Sequence, residues 1–251
     1  NVLKWIEGVN RFHPIQNVYW GYRAKPRGVM TNHPGDIFLK FKNGKILGVS
    51  LKAGGEKTDE PKLNTYVKPI FDFYGKSNDY ENIKERLWPQ YMLIPGISED
   101  DKKMWGTQAL ALKTHEFEKT DVKTYNELYD KNLAIIKEEL LKLLNGDFQK
   151  TKEWLLEKVA QQQQDVPLVV VKATDKQARR DKSSDMLVEA LASVSKITAQ
   201  PPKGSSKQGW NIMLSDGSKL QMDFTTRTNK VGAMHKLGQF TNLAVKFNKV
   251  K

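Results

Sequence analysis

The sequence predicts a mixed α/β fold, and three features carry that reading. Two apolar-alternating runs, 36–41 and 46–53, flank Asn43-Gly44, a strong hairpin signal. The stretch from about 78 to 163 has a helical pattern, clearest over 126–144, where Leu133, Ile136, Leu140, Leu143 and Leu144 form a stripe closed by Asn145-Gly146. Residues 166–173 are a short, continuous, valine-rich run, as expected of a central strand buried on both faces.

In chain order, residues 2–12 place Leu3, Ile6, Val9 and Phe12 at helical spacing, and Pro14 ends that helix. The segment 17–30 is aromatic and basic: Val18-Tyr19-Trp20-Gly21-Tyr22-Arg23, then Lys25-Pro26-Arg27-Gly28. Aromatics beside arginine are what single-stranded nucleic acid stacks on; a packed edge strand is the ordinary alternative.

The register of the first hairpin follows from burial. A two-residue Asn43-Gly44 loop would set Ile37 and Leu39 beside Ser50 and Gly48 and waste the apolar face. A three-residue loop with Gly44 in the left-handed position pairs 41 with 45, 39 with 47, 37 with 49 and 36 with 50. Ile37, Leu39, Phe41, Leu47, Val49 and Leu51 then share one face, and Asp36, Ser50 and Lys52 the other. A one-residue slip would turn every side chain to the wrong face.

Further on, residues 63–74 read as a helix with Tyr66, Ile70, Phe73 and Tyr74 inward and a kink at Pro69. A helix is expected over 151–164, its four glutamines at 161–164 a polar end. Residues 175–195 read as a helix opening on Lys176, Arg179, Arg180 and Lys182, and 201–207 as a loop. Strands at 210–214 and 219–224 form a second hairpin that matches Trp210, Ile212 and Leu214 to Phe224, Met222 and Leu220. A final helix is expected over about 231–247. No internal repeat or firm boundary is visible, so one domain over 1–251 is expected.

The chain carries 41 Lys+Arg against 29 Asp+Glu, a formal charge of +12, which favours polyanionic partners, nucleic acid first. The absence of cysteine excludes disulfides, thiolate zinc sites and cysteine nucleophiles. No apolar run approaches the roughly 18 residues of a membrane span. The first twenty residues carry Lys4, Glu7 and Arg11, so a soluble, cytoplasmic chain is expected. The four histidines, His13, His33, His115 and His235, are too scattered for a zinc motif, and there is no Walker loop, G-x-G-x-x-G or G-x-S-x-G.

An acid at the start of one strand, facing a polar residue and a lysine on the next, is suited to metal-dependent phosphodiester hydrolysis. A carboxylate and a strand carbonyl hold Mg²⁺ (or Mn²⁺), and the lysine positions water or offsets developing charge. In Pro34-Gly35-Asp36 and, fourteen positions on, Ser50-Leu51-Lys52, the sequence resembles the PD-(D/E)XK nuclease superfamily, the restriction-endonuclease-like fold. The resemblance covers directly about residues 1–75, and more loosely the strand at 166–173 and the helix after it. It implies a core sheet flanked by helices, built from about 1–75 and 165–251, with a helical insertion at about 78–163.

It further implies a Mg²⁺-dependent endonuclease, on DNA as the family's commonest substrate. Asp36 would be a metal ligand, the Leu51 carbonyl would join it, and Lys52 would be catalytic. Ser50 stands where the family usually has Glu or Asp, and a hydroxyl is a weaker ligand than a carboxylate. Glu7 on the first helix matches the place where many members add an acid. Each residue also has a plain reading: Asp36 and Lys52 as a cross-strand ion pair worth under about 1 kcal/mol, Glu7 as an exposed helix residue, His33 as a turn histidine.

Candidate phosphate contacts are Arg23, Lys25, Arg27, Arg179, Arg180, Lys203, Lys207, Arg227 and Lys230. A noncatalytic nucleic-acid-binding module on the same fold and a basic assembly protein are the alternatives to the enzyme.

Overall fold

A computed structural model describes residues 1–54, 63–162, 165–201, 209–214, 220–228, 230–231, 234–235, 237 and 241–249. In chain order the elements begin with α1 (Val2–Phe12), β1 (Ile15–Trp20), β2 (Ile37–Phe41), β3 (Ile46–Ala53) and β4 (Leu63–Tyr66). The helices α2 (Lys68–Phe73), α3 (Ser77–Tyr91), α4 (Gln108–Thr120), α5 (Val122–Gly146) and α6 (Phe148–Trp154) come next. Then come β5 (Leu168–Ala173), β6 (Ala178–Asp181), α7 (Ser183–Ala192), β7 (Ile197–Gln200), β8 (Gly209–Leu214), β9 (Leu220–Thr228), β10 (Lys230–Val231), β11 (Met234–His235) and β12 (Thr241–Lys249). A 3₁₀ turn, Glu99–Met104, precedes α4 and a π-helical turn, Leu155–Val159, succeeds α6. The fold is mixed α/β, as the sequence predicts. None of the described helices is long and apolar enough to cross a membrane.

The chain divides into two compact units, 1–60 with 155–192 and 61–154 with 193–251. This differs from the expected single domain with a helical insertion, because the strands of 209–249 do not join the first hairpin. They pair instead with Leu63–Tyr66 and carry the helices of 68–154 in a unit of their own.

In the first unit the sheet order is β1-β2-β3-β5-β6, with β3 and β5 parallel and all other neighbours antiparallel. The hairpin has the register that burial requires, Ile37 opposite Val49 and Leu39 opposite Leu47. Its loop closes through Phe41 N–H to Lys45 O at 2.9 Å, with Gly44 at φ +82°, the left-handed conformation that glycine adopts without strain. Ile37, Leu39, Val49 and Val171 form the core of one face, and α1 covers it with Val2, Trp5, Ile6 and Val9. Leu3 and Phe12, expected inward, are exposed; the inward stripe of α1 runs through positions 2, 5, 6 and 9 instead.

The helix expected over 175–195 is a strand and a shorter helix. Thr174 makes the turn: its hydroxyl accepts from Lys176 N and Gln177 N at 3.2 and 3.1 Å, and its own N–H bonds Gln177 O. Ala178–Asp181 can therefore fold back on β5. Asp181 then accepts from Ser183 N at 3.0 Å and starts α7.

In the second unit the sheet is antiparallel, in the order β4-β12-β9-β8-β7. The second hairpin pairs Trp210 with Phe224 and Ile212 with Met222, as the apolar matching requires; its loop, 215–219, lies outside the described residues. The helix expected over 231–247 is not found. Residues 241–249 form β12, between β4 and β9, with Leu243, Ala244 and Val245 buried. Residues 63–74 are likewise a strand and then a helix, with Pro69 in the first turn of α2, where its missing N–H costs nothing. The helix expected over 151–164 begins at Phe148 and widens into the π turn, closed by Ala160 N–H to Leu155 O.

Helix α5 begins at Asp121, whose side chain accepts from Thr124 N at 3.0 Å, and buries Leu128, Leu133, Ile136, Leu140 and Leu144. At its end Asn145 acts as a strand surrogate. Its amide donates to Ala199 O at 2.9 Å and accepts from Ala199 N at 2.8 Å, which satisfies the outer edge of β7. Ala199 is buried, so removing this partner leaves two main-chain groups unsatisfied. Asn145→Leu is expected to lower the stability of this unit by about 1–3 kcal/mol. The measurement is a shift of the urea midpoint at unchanged slope.

Candidate active site

Asp36 is an exposed acid held by three hydrogen bonds. Its N–H bonds Val49 O at 2.8 Å, its carbonyl accepts Gly21 N–H at 2.8 Å, and its Oδ2 accepts Leu51 N–H at 2.7 Å. The last bond exists because β2 has run out: Leu51 continues β3 past the last ladder pair, and the carboxylate supplies the missing acceptor. Asp36 therefore bonds the next strand's backbone, and no ion pair with Lys52 is formed among the described residues.

The alternation of β3 fixes what else points this way. Gly48 and Gly54 donate their N–H groups to β5, at 2.8 Å to Pro167 O and 2.9 Å to Ala173 O. Val49 accepts from Asp36 on the other side. Within an extended strand, N–H and C=O of one residue leave the same edge, so Leu51 directs both toward Asp36. One carboxylate, whose second oxygen has no hydrogen-bond partner among the described residues, and one strand carbonyl thus share a side.

Ser50 and Lys52 lie on the sheet face opposite α1; Ser50 is buried and Lys52 is half-buried. In the parallel ladder Ser50 is level with Val170 and Lys52 with Lys172. Through β6, Val170 faces Asp181 and Lys172 faces Arg179. Lys172 pairs with Asp181 at 3.5 Å, both largely buried, and Asp181 Oδ1 also accepts the Ser183 hydroxyl at 2.7 Å. The sheet thus presents Asp36, Ser50, Lys52, Lys172, Arg179 and Asp181 on one face. Lys172 and Asp181 are the members that sequence reasoning missed; Lys172 sits just past the valine run that marks β5, and only the parallel register brings it beside Lys52, while Asp181 reaches the face through β6.

His33 holds this arrangement together. Its Nδ1 accepts Gly35 N–H at 3.1 Å, so its Nε2 carries the proton and donates to Val166 O at 3.0 Å. The ring is buried, stands edge-on to Phe38, and fills the space over Gly48, where a Cβ would come within 2.5 Å of its Cε1. Both nitrogens are occupied, so His33 is a clamp between the Pro34-Gly35-Asp36 turn and the entry to β5, with no lone pair for a metal.

The other expected site residues are not all brought to this face. Glu7 is exposed on the side of α1 turned away from the sheet, and α1 covers the opposite face. Lys25 folds inward, its ammonium bonding the carbonyls of Thr31 and, at 2.8 Å, His33. Arg23 and Arg27 are exposed near the start of β2. The adjacent Arg179 and Arg180 split to opposite faces: Arg179 shares the face of Lys52, whereas Arg180 pairs with Asp185 at 2.6 Å and lines a cavity of about 580 Å³ with Trp5, His13, Phe41 and Leu47. Arg227 is on β9 and Lys230 on β10 of the second unit, and Lys203 and Lys207 lie outside the described residues.

Among the described residues no group of three or more His, Asp and Glu side chains is placed to hold a metal ion. A cation here would have Asp36, the Leu51 carbonyl and, at longer range, the Ser50 hydroxyl. Mg²⁺ is commonly bound by one or two carboxylates with several waters and substrate phosphates, so this donor set fits an ion completed by substrate.

No family model matches the chain, and no curated protein matches it. The geometry stands on its own.

Removing the His33 clamp leaves Gly35 N–H and Val166 O unpaired and a void beside Phe38. His33→Ala is expected to cost about 2–4 kcal/mol, measured by urea unfolding. A change within about 0.5 kcal/mol would show that the clamp is not structural.

Proposed function

We propose that the chain is a metal-dependent endonuclease that hydrolyses phosphodiester bonds, with DNA as the substrate, on a restriction-endonuclease-like core formed by the first unit. The observation that carries this reading is the Leu51 N–H bond to Asp36 Oδ2 at the open end of β2–β3, on the strand edge toward which the Leu51 carbonyl also points by strand alternation, with Lys52 one residue on. An ordinary cross-strand ion pair would have joined Asp36 to Lys52; among the described residues no acid pairs with that lysine.

Asp36 and the Leu51 carbonyl would hold Mg²⁺ (or Mn²⁺), which when bound supplies Lewis-acid charge on a phosphate oxygen and a lowered pKa for water. The chain's own residues do the rest. The Leu51 amide fixes the Asp36 carboxylate by one oxygen and so aims the other. The Lys52 ammonium orients the attacking water by hydrogen bonding and offsets negative charge as it grows on the phosphate. Ser50 contributes a neutral hydroxyl at the position between them. Lys172, beside Lys52, adds positive potential but is itself held by Asp181, so its role is to steer and position the phosphate.

The test is cleavage of supercoiled and of single-stranded DNA, with Mg²⁺ or Mn²⁺, by the parent, Asp36→Ala, Lys52→Ala and Ser50→Glu. The parent is expected to cut, chelation to abolish cutting, and each alanine variant to lose about 100-fold or more in rate. Ser50→Glu is expected to strengthen metal binding by adding a carboxylate. If no variant cuts while nucleic acid is still bound, the noncatalytic binding module replaces the enzyme.

A further inference from the structure

The segment between Glu7 and Asp36 contains no acidic residue, and it carries the most exposed aromatics of the first unit. Tyr22 is 93% exposed and Trp20 57%. A packed edge strand would have buried them. Trp20 O accepts from both Arg23 N and Ala24 N at 3.0 Å, a tight turn that sets Tyr22 at its apex.

The turn is well tied down. Lys25 bonds two carbonyls of the returning chain, and Gly21 N–H bonds Asp36 O. Gly21 packs so closely that a Cβ there would lie 2.5 Å from Gly35 O. Arg23 and Arg27 are exposed, and among the described residues neither has an acidic partner. An exposed aromatic on a rigid, wholly basic turn, one hydrogen bond from Asp36, is a surface kept ready for a ligand that is both flat and anionic.

We propose that the turn from Trp20 to Arg27 is a platform for unpaired nucleotides: Tyr22 stacks on a base, Trp20 at the outer edge of β1 supports a neighbouring one, and Arg23 and Arg27 bind the phosphates between. The ligand is single-stranded nucleic acid or the unpaired end of a duplex. In an intact duplex the base faces are hidden in the stack, so an aromatic apex gains little there, whereas every unpaired base offers a π-face. The place of this platform beside a reacting centre rests on the nuclease reading; the contact itself does not.

The experiment measures binding in a chelator, where nothing is cut, so it reads the platform apart from the chemistry. A labelled oligothymidylate and an oligouridylate of about fifteen nucleotides are titrated by fluorescence anisotropy, with a blunt duplex as competitor. The variants are Tyr22→Ala, Tyr22→Phe, Arg23→Ala, Arg27→Ala and Asp36→Ala, each checked for folding by circular dichroism.

The parent is expected to bind at least one oligomer more tightly than the duplex, and the tighter one assigns the sugar. Tyr22→Ala should weaken binding by about 5- to 150-fold and Tyr22→Phe should not. Each arginine variant should flatten the salt dependence by about 0.7 in log–log slope, and Asp36→Ala should not weaken binding. The proposal is overturned if Tyr22→Ala binds as the parent does, if the duplex competes equally, or if sedimentation shows that Tyr22 seats a second copy of the chain and no oligomer binds. Failure of the nuclease reading looks different: Tyr22-dependent binding would persist without any cleavage in Mg²⁺.

Discussion

The odd loop of the first hairpin is the constraint on which the rest of the first unit depends. Asn43-Gly44 alone would permit a two-residue turn, but that register buries Gly48 and Ser50 against α1 and exposes Leu47 and Leu51. With Gly44 left-handed at the end of a three-residue loop, each strand's apolar set turns to α1 together. Burial of several leucine, isoleucine and valine side chains, each worth about 1.5–3 kcal/mol, outweighs the cost of any particular turn. The polar face is then set without further choice: Asp36, Ser50 and Lys52 are what remains when the apolar residues have been assigned.

A second constraint acts on the same face from the opposite direction. The His33 ring lies over Gly48, and any side chain there would displace it. Gly48 and Gly35 are thus sites of close approach, and the imidazole between them joins the start of β2 to Val166 just before β5. The parallel pairing of β3 with β5, which brings Lys172 level with Lys52, is pinned at its beginning by the residue that also orients the Asp36 turn. Structure and candidate chemistry share one set of hydrogen bonds, which explains why a buried histidine here belongs to the scaffold.

Much of this was legible in the sequence where the signal was local. The hairpin register needed only the apolar parity of 37–41 and 46–51, and the second hairpin only the matching of Trp210 and Ile212 to Phe224 and Met222. What failed was non-local or compositionally masked. β6 is four residues, Ala178–Asp181, half of them arginine; their charge suggested a helix surface, while the signal for the turn was a single hydroxyl at Thr174. β12 pairs with β4 across the whole helical run that separates them in the chain, so its alternation at Leu243 and Val245 could be read as part of a helix. The division into two units comes from that same pairing. Lys172 and the His33–Val166 bond likewise depend on contacts between the two ends of the first unit's discontinuous chain.

Under the proposed function, the serine at position 50 changes when a site is completed rather than where it lies. A second carboxylate would hold a divalent ion in the absence of substrate; a hydroxyl contributes little charge, and Asp36 and Asp181, the latter taken up by Lys172, are two negative charges on a face that carries Lys52, Lys172 and Arg179. In that surplus of positive groups an isolated cation is poorly held, while a phosphate is attracted. Nucleic acid would then arrive first and bring the missing anionic oxygens, so that the ion and the backbone bind as a linked pair. The basic turn at 20–27 has the same logic: a site short of its own acid gains from a neighbouring surface that keeps the substrate's phosphates close.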